Sequence, residues 1–313
     1  MRVPARTRVR RPRKILRRPK RLGPGAVIGI AAPASPFDRE TLDRGARVLR
    51  EMGFETVVPE EIMAAERYLA GPDSRRAALL QRLFEDDRID AVICARGGYG
   101  CLRILPLLDY ERIAAHPKVF VGFSDVTALL AAITRRCGFA AFHGPVVTSL
   151  ADGLESTRQS LAAAIASDSA TALRPAGAVT VRPGWASGVV CGGNLTTLCH
   201  LIGTPFQPSF RGRILFLEDR GEAPYRIDRM LTQLKLAGCL EGLRGLALGS
   251  FTDCGACEEV LGVFGERFAD ADIPILAGLP VGHAEPNLTL PFGVNAVLDA
   301  DGRTLSFDCA TED

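Results

Sequence analysis

The chain has 313 residues, 47% apolar and 24% charged, with a formal net charge of +2 at pH 7. That composition belongs to ordinary globular proteins and excludes a chain disordered throughout. No apolar run approaches the roughly 20 residues that span a bilayer, so no membrane span is expected.

The charge is unevenly placed. Residues 1–21 hold eleven Lys or Arg and no acid, which leaves 27 basic against 36 acidic groups, a net −9, in the rest of the chain. A self-repelling basic tail of this kind is expected to be disordered. It invites contact with nucleic acid or anionic lipid, but the acidic body argues against a nucleic-acid enzyme. An overlong start of the reading frame explains the tail equally well. The basic residues followed by Gly25–Ala34 imitate a signal peptide. Gly29 and Pro33 break that apolar stretch, and it reads better as the first strand of the fold.

From Val27 the pattern alternates between strand and helix. Val27–Ala31 is a strand, and 39–52 a helix with Leu42, Ala46 and Leu49 on one side. A short strand follows at 55–59, then a helix over 74–86 that buries Ala77, Leu80, Leu83 and Phe84. Ala91–Ala95 and Val119–Phe123 are strands, and 126–135 is a helix. This alternation predicts an α/β fold, flavodoxin- or Rossmann-like, with a parallel sheet flanked by helices. Ligands of such sheets sit beyond the carboxyl ends of the strands. Residues 22–150 are expected to form this domain, 151–185 a linker with a small helix followed by several Pro and Gly, and 186–313 a smaller α+β or β-rich domain. In the latter, strands are expected at 188–191, 214–217, 246–249 and 294–299, with a helix over 226–236.

Two strand ends carry candidate chemistry. Ser124 stands where Val119–Phe123 turns into a helix, a geometry that exposes a hydroxyl beside helix-start N–H groups. The bland alternative is that Ser124 caps the helix. The glycine-rich Ala95-Arg-Gly-Gly-Tyr-Gly100 lacks the third glycine of a dinucleotide fingerprint and the Lys–Ser/Thr pair of a P-loop. Gly97 and Gly98 instead allow backbone N–H groups to approach a reacting carbonyl, or simply make a tight turn. There are four histidines. His283, in a polar turn after an apolar segment, is the leading candidate base, His143 its competitor, and His200 a packed residue. Glu218, with Asp219 at the end of Ile214–Leu217, can orient a histidine, or can be one of two solvated acids. The nine cysteines form no disulfide pattern, and the lone Cys254-Gly-Ala-Cys257, without a second pair, does not make a zinc site and is only a weak signal of a redox role. Such cysteine usage fits a reducing cytoplasm.

Taken together, these segments resemble the LD-carboxypeptidase family of serine peptidases, which includes muramoyltetrapeptide carboxypeptidases and microcin C self-immunity peptidases. The resemblance rests on Ile28–Pro33, Ala95–Gly100, Lys118–Leu130, Phe142–Pro145, Gly192–Leu195, Leu217–Asp219 with Tyr225–Met230, and Gly282-His283, in that order. It implies a triad of Ser124 as nucleophile, Glu218 as orienting carboxylate and His283 as general base, with no metal or cofactor. Backbone N–H groups of Asp125 and of Gly97 or Gly98 would meet the oxyanion. The implied substrate is a small peptide, a muropeptide that loses its terminal D-alanine from an L-centre during peptidoglycan recycling in the cytoplasm. Family members are commonly homodimers. Arg96, Asn194 and Trp185 are the candidate substrate contacts, Trp185 as an adenine stack should the substrate be a peptidyl-nucleotide. A muropeptide sensor without catalysis and a nucleotide-binding enzyme are the alternatives.

Overall fold

The computed structural model describes residues 16–167 and 169–313. In the first half, strands β1 (Val27–Ala31), β2 (Glu55–Val57), β3 (Ala91–Cys94), β4 (Val119–Gly122) and β5 (Ala141–His143) pair in parallel in the order β2-β1-β3-β4-β5. This is the flavodoxin-like order, whose ligand crevice lies where the connections reverse direction, between β1 and β3. Every residue of β3 and β4 is buried, because helices cover both faces of a parallel sheet. The helix Arg39–Glu51 contributes Leu42, Ala46 and Leu49, and Asp73–Glu85 contributes Ala77, Leu80, Leu83 and Phe84. The first of these helices begins at Asp38, whose carboxylate accepts the Thr41 N–H at 2.8 Å.

The second half is built on an eight-stranded mixed sheet. Its members are β6 (Thr171–Leu173), β7 (Val179–Arg182), β8 (Trp185–Asn194), β9 (Arg213–Arg220), β10 (Gly245–Thr252), β11 (Ile275–Ala277), β13 (Asn295–Asp299) and β14 (Thr304–Phe307). The central strands β8, β9, β10 and β11 run parallel, and the outer pairings are antiparallel. The α/β class and the two-sheet plan were legible in the sequence. The short strands β6, β7, β11 and β14 of this sheet were not, since three or four residues carry too little periodicity.

One strand departs from a simple division into halves. β12 (Leu290–Phe292) pairs antiparallel with β5 and completes the first sheet, placing Leu290 opposite His143. The span 151–185, expected as a linker with a small helix, holds the helix Glu155–Ala166 and, beyond that expectation, β6 and β7. Part of the basic tail is also ordered. The Arg17 N–H donates to the Gly138 carbonyl at 2.9 Å and the Arg21 N–H to that of Glu312 at 2.7 Å, so 16–21 run along the body. The backbone there finds carbonyl partners on two elements, which offsets the like charges of the side chains. The expectation for residues 1–15 falls outside the described residues. Among those described, no helix is long and apolar enough to cross a membrane.

Candidate active site

Three of the sequence-derived residues converge where the two sheets meet. The His283 Nδ1–H donates to Glu218 Oε2 at 2.6 Å, and the Ser124 hydroxyl lies 3.1 Å from His283 Nε2. Because the carboxylate can only accept, it holds the proton on Nδ1 and leaves Nε2 free to accept from Ser124. The order of partners is that of a nucleophile, a base and a group that orients the base.

Each side chain is aimed by its backbone. Ser124 follows β4 and opens a 3-10 turn (Ser124–Val126) that leads into the helix Thr127–Ala132. Its φ is +62°, a left-handed conformation that costs a residue with a Cβ about 1–2 kcal/mol. Such strain at a strand-to-helix turn lifts the hydroxyl off the end of the sheet. Capping, the bland alternative, would direct that oxygen to a helix N–H, and its hydrogen bond is with His283 instead.

Glu218 and Asp219 are neighbours on β9 and therefore point to opposite faces. Both are buried, not solvated. Glu218 turns to His283, and burial, partly offset by that imidazole, raises its carboxyl pKa above the usual carboxylate value. Asp219 turns to the helix Leu195–His200, accepting from Thr196 N at 2.9 Å, Thr196 Oγ1 at 2.8 Å and Asn194 Nδ2 at 2.9 Å. The His283 turn is clamped from several sides. Gly282 N donates to Asn287 Oδ1 at 2.9 Å, Ala284 N to Ser250 Oγ at 3.2 Å, and Asn287 N to Thr157 Oγ1 at 3.0 Å. Thr157 comes from the helix within the expected linker, so that segment helps to seat the base.

The glycine-rich loop lies against Ser124. A Cβ on Gly97 would stand 3.0 Å from Ser124 Cβ and 3.3 Å from its Oγ. The loop is fixed by Ser35 N donating to Gly97 O at 3.2 Å and Tyr99 N donating to Ser35 Oγ at 3.0 Å. Asp125 joins loop and nucleophile turn, since its buried carboxylate accepts the Cys101 N–H at 2.8 Å. Its side chain thus braces the loop beneath Ser124, and burial raises its pKa. Arg76, absent from the sequence reading, is fully buried and donates to Gly71 O at 3.2 Å, Gly100 O at 3.0 Å and Pro33 O, pinning three loops beside the site. A buried arginine in an amphipathic helix was a signal the sequence offered only as one more charge. Gly97→Ala is expected to lower kcat by about 10- to 100-fold with an unchanged circular dichroism spectrum, because the methyl group presses on the hydroxyl and on the path of an oxyanion.

The remaining candidates are placed differently. Arg96 is exposed beside the loop, donating to Pro36 O at 2.7 Å. Asn194 is buried with its amide engaged, Oδ1 accepting from Thr197 N at 3.0 Å and Nδ2 donating to Asp219. The strand before it approaches closely, since a Cβ on Gly193 would meet Thr127 Oγ1 at 2.5 Å. Trp185 stands at the far end of the strand that leads to Asn194. It is 67% exposed at the first position of β8, and nine strand steps put it roughly 30 Å from Asn194. His200 is exposed at its helix end, not packed.

His143 lies behind the site, fully buried among Phe123, Phe216 and Phe292. Burial pushes its pKa down to about 3, and neither ring nitrogen has a partner among the described residues. It is a neutral packing ring and does not reach Ser124. His143→Phe is expected to change turnover by less than about tenfold, against a loss of more than about 1,000-fold for His283→Ala, measured side by side on one substrate. All nine cysteines are free, Cys254 buried and Cys257 exposed.

Comparison with known proteins identifies the family. The family model described as LD-carboxypeptidase N-terminal domain matches residues 28–144, and that of the LD-carboxypeptidase C-terminal domain matches 187–298. A putative carboxypeptidase of Streptomyces coelicolor is 43% identical over 93% of this chain and 96% of its own length. The murein tetrapeptide carboxypeptidase of Pseudomonas aeruginosa is 37% identical over 88% of this chain and 93% of its own. Among solved structures, an MccF-like protein from Bacillus anthracis superposes with a TM-score of 0.88 at 26% identity, covering 93% of this chain and 99% of its own. With both of its domains matched, the chain belongs to the LD-carboxypeptidase family.

Proposed function

We propose that the protein is a serine carboxypeptidase that hydrolyses the L-to-D bond before the terminal D-alanine of murein tetrapeptides. The observation that carries this reading is the Ser124–His283–Glu218 chain of contacts at 3.1 and 2.6 Å. In the reaction His283 Nε2 takes the Ser124 proton as Oγ attacks the scissile carbonyl. It then returns that proton to the departing D-alanine amine, and water, activated in the same way, releases the acyl group. Glu218 holds the tautomer and stabilises the imidazolium. The Asp125 N–H and a glycine N–H of the 97–98 loop receive the oxyanion. Asn194 acts by holding Asp219 and the adjacent helix start, while the exposed Arg96, tied to the Pro36 carbonyl through Nη1, turns its remaining N–H groups to the substrate carboxylate. The nucleophile belongs to one domain and its two partners to the other, so the domains must keep their alignment for turnover. Peptidoglycan recycling, a cytoplasmic location and a homodimer complete the reading.

The test is D-alanine release from a muramoyl tetrapeptide, with a tetrapeptide ending in L-alanine as control. Release from the first alone supports the proposal, and release from neither defeats it. The MccF-like neighbour motivates a second substrate, a peptidyl-nucleotide of the microcin C type. The distance of Trp185 from the site removes the aromatic contact that favoured it. Cleavage of such a compound in preference to the tetrapeptide would reverse that ranking.

A further inference from the structure

A second cleft, of about 630 Å³, opens at the opposite end of β8 from Asn194, lined there by Ser187, Gly188 and Val189. Gly188 and Asn194 are six strand steps, or roughly 20 Å, apart, so this cleft is not part of the Ser124 site. Four arginines border it, Arg135 from the first half and Arg211, Arg213 and Arg244 from the second, with Asp308 as their acidic neighbour. Arg211 is neutralised by Glu241 at 2.7 Å. Arg135 donates to the Gln207 carbonyl, which leaves its charge uncompensated. Among the described residues no carboxylate pairs with Arg135, Arg213 or Arg244. Asp308 is held by Asn295 Nδ2 at 3.3 Å.

Three guanidiniums with no carboxylate partner among the described residues border one cavity and repel each other, and the arrangement is unexpected on a body whose net charge is −9. A multiply charged anion removes that repulsion, and guanidinium forks match phosphate oxygens two at a time. The volume suits a ligand of nucleotide size or smaller. Leu16 also lines the cleft, and the fifteen residues before it carry seven Lys or Arg and no acid.

We propose that this cleft binds a small polyanion bearing two or more phosphate groups. Inorganic tripolyphosphate is the probe, titrated calorimetrically into the full chain at 150 mM salt on the order of physiological ionic strength. Binding to wild type with a Kd raised about tenfold or more in Arg213→Ser/Arg244→Ser, with D-alanine release unchanged, supports the site. Arg244→Ser alone, at an exposed position, provides a smaller loss in the same direction should the double variant fail to fold. No binding to wild type overturns the proposal, and so does equal affinity of the variants. A single-stranded oligonucleotide bound more tightly than tripolyphosphate, and undiminished in the double variant, also overturns it by assigning the anion affinity to the basic tail.

Discussion

Replacing Ser124 with alanine is expected to reduce D-alanine release by roughly 10⁴- to 10⁶-fold while circular dichroism and solubility stay as in wild type. The magnitude follows from what is lost and what remains. The hydroxyl that His283 faces at 3.1 Å disappears, and with it the acyl intermediate. The backbone N–H groups and the substrate-binding surface persist, which accounts for a residual rate above that in water. The backbone supplies a second, independent readout. Ser124 sits at a φ of +62°, and alanine inherits that strain because it also has a Cβ, whereas glycine does not. Ser124→Gly is therefore expected to be as inactive as Ser124→Ala yet about 1 kcal/mol more stable than it in urea unfolding, within the range for a left-handed residue. Retained release in Ser124→Ala would return this residue to the role of a cap and remove the proposed mechanism.

The parts of this arrangement that were legible in the sequence are those with a strong local signature. Val119–Gly122 is an apolar run ending at a serine before a helical pattern, and it became a buried strand with Ser124 at its tip. Glu218 was readable only beside the family resemblance, since two acids at the end of an apolar run fit a solvated turn equally well, and His283 stood out because histidines are few. Relations between distant segments carried no such signature. Nothing around Thr157 announces that its hydroxyl steadies Asn287 and so the turn of His283, 126 residues further along the chain. Leu290–Phe292 is three residues long, and its return to the first sheet depends on the partner edge offered by β5. Trp185 shows how little residue type says about place: a ring suited to stacking stands at the start of β8, at the other end of that strand from Asn194.

Glu218→Gln is expected to lower kcat by roughly 10³- to 10⁴-fold with little change in KM. The substitution keeps the volume and removes the acceptor charge that faces Nδ1 at 2.6 Å. A glutamine amide can offer its NH₂ to the ring, which favours the tautomer with the proton on Nε2, where it can no longer accept from Ser124. The same change is expected to alter how stability depends on pH. Burial raises the folded-state pKa of Glu218 above 4.5, so between 4.5 and that higher value the folded protein binds more protons than the unfolded chain. Stability from this group is present below the unfolded pKa and is lost as pH rises through the folded one. Urea titrations across that window should therefore show Glu218→Gln gaining stability relative to wild type as pH increases. The two readouts separate the roles, because a residue that merely fills space would shift the unfolding curves without touching kcat. Turnover of Glu218→Gln within tenfold of wild type would mean that the imidazole is held by its clamped turn at Ser250 and Asn287, and that the carboxylate contact is not needed for the reaction.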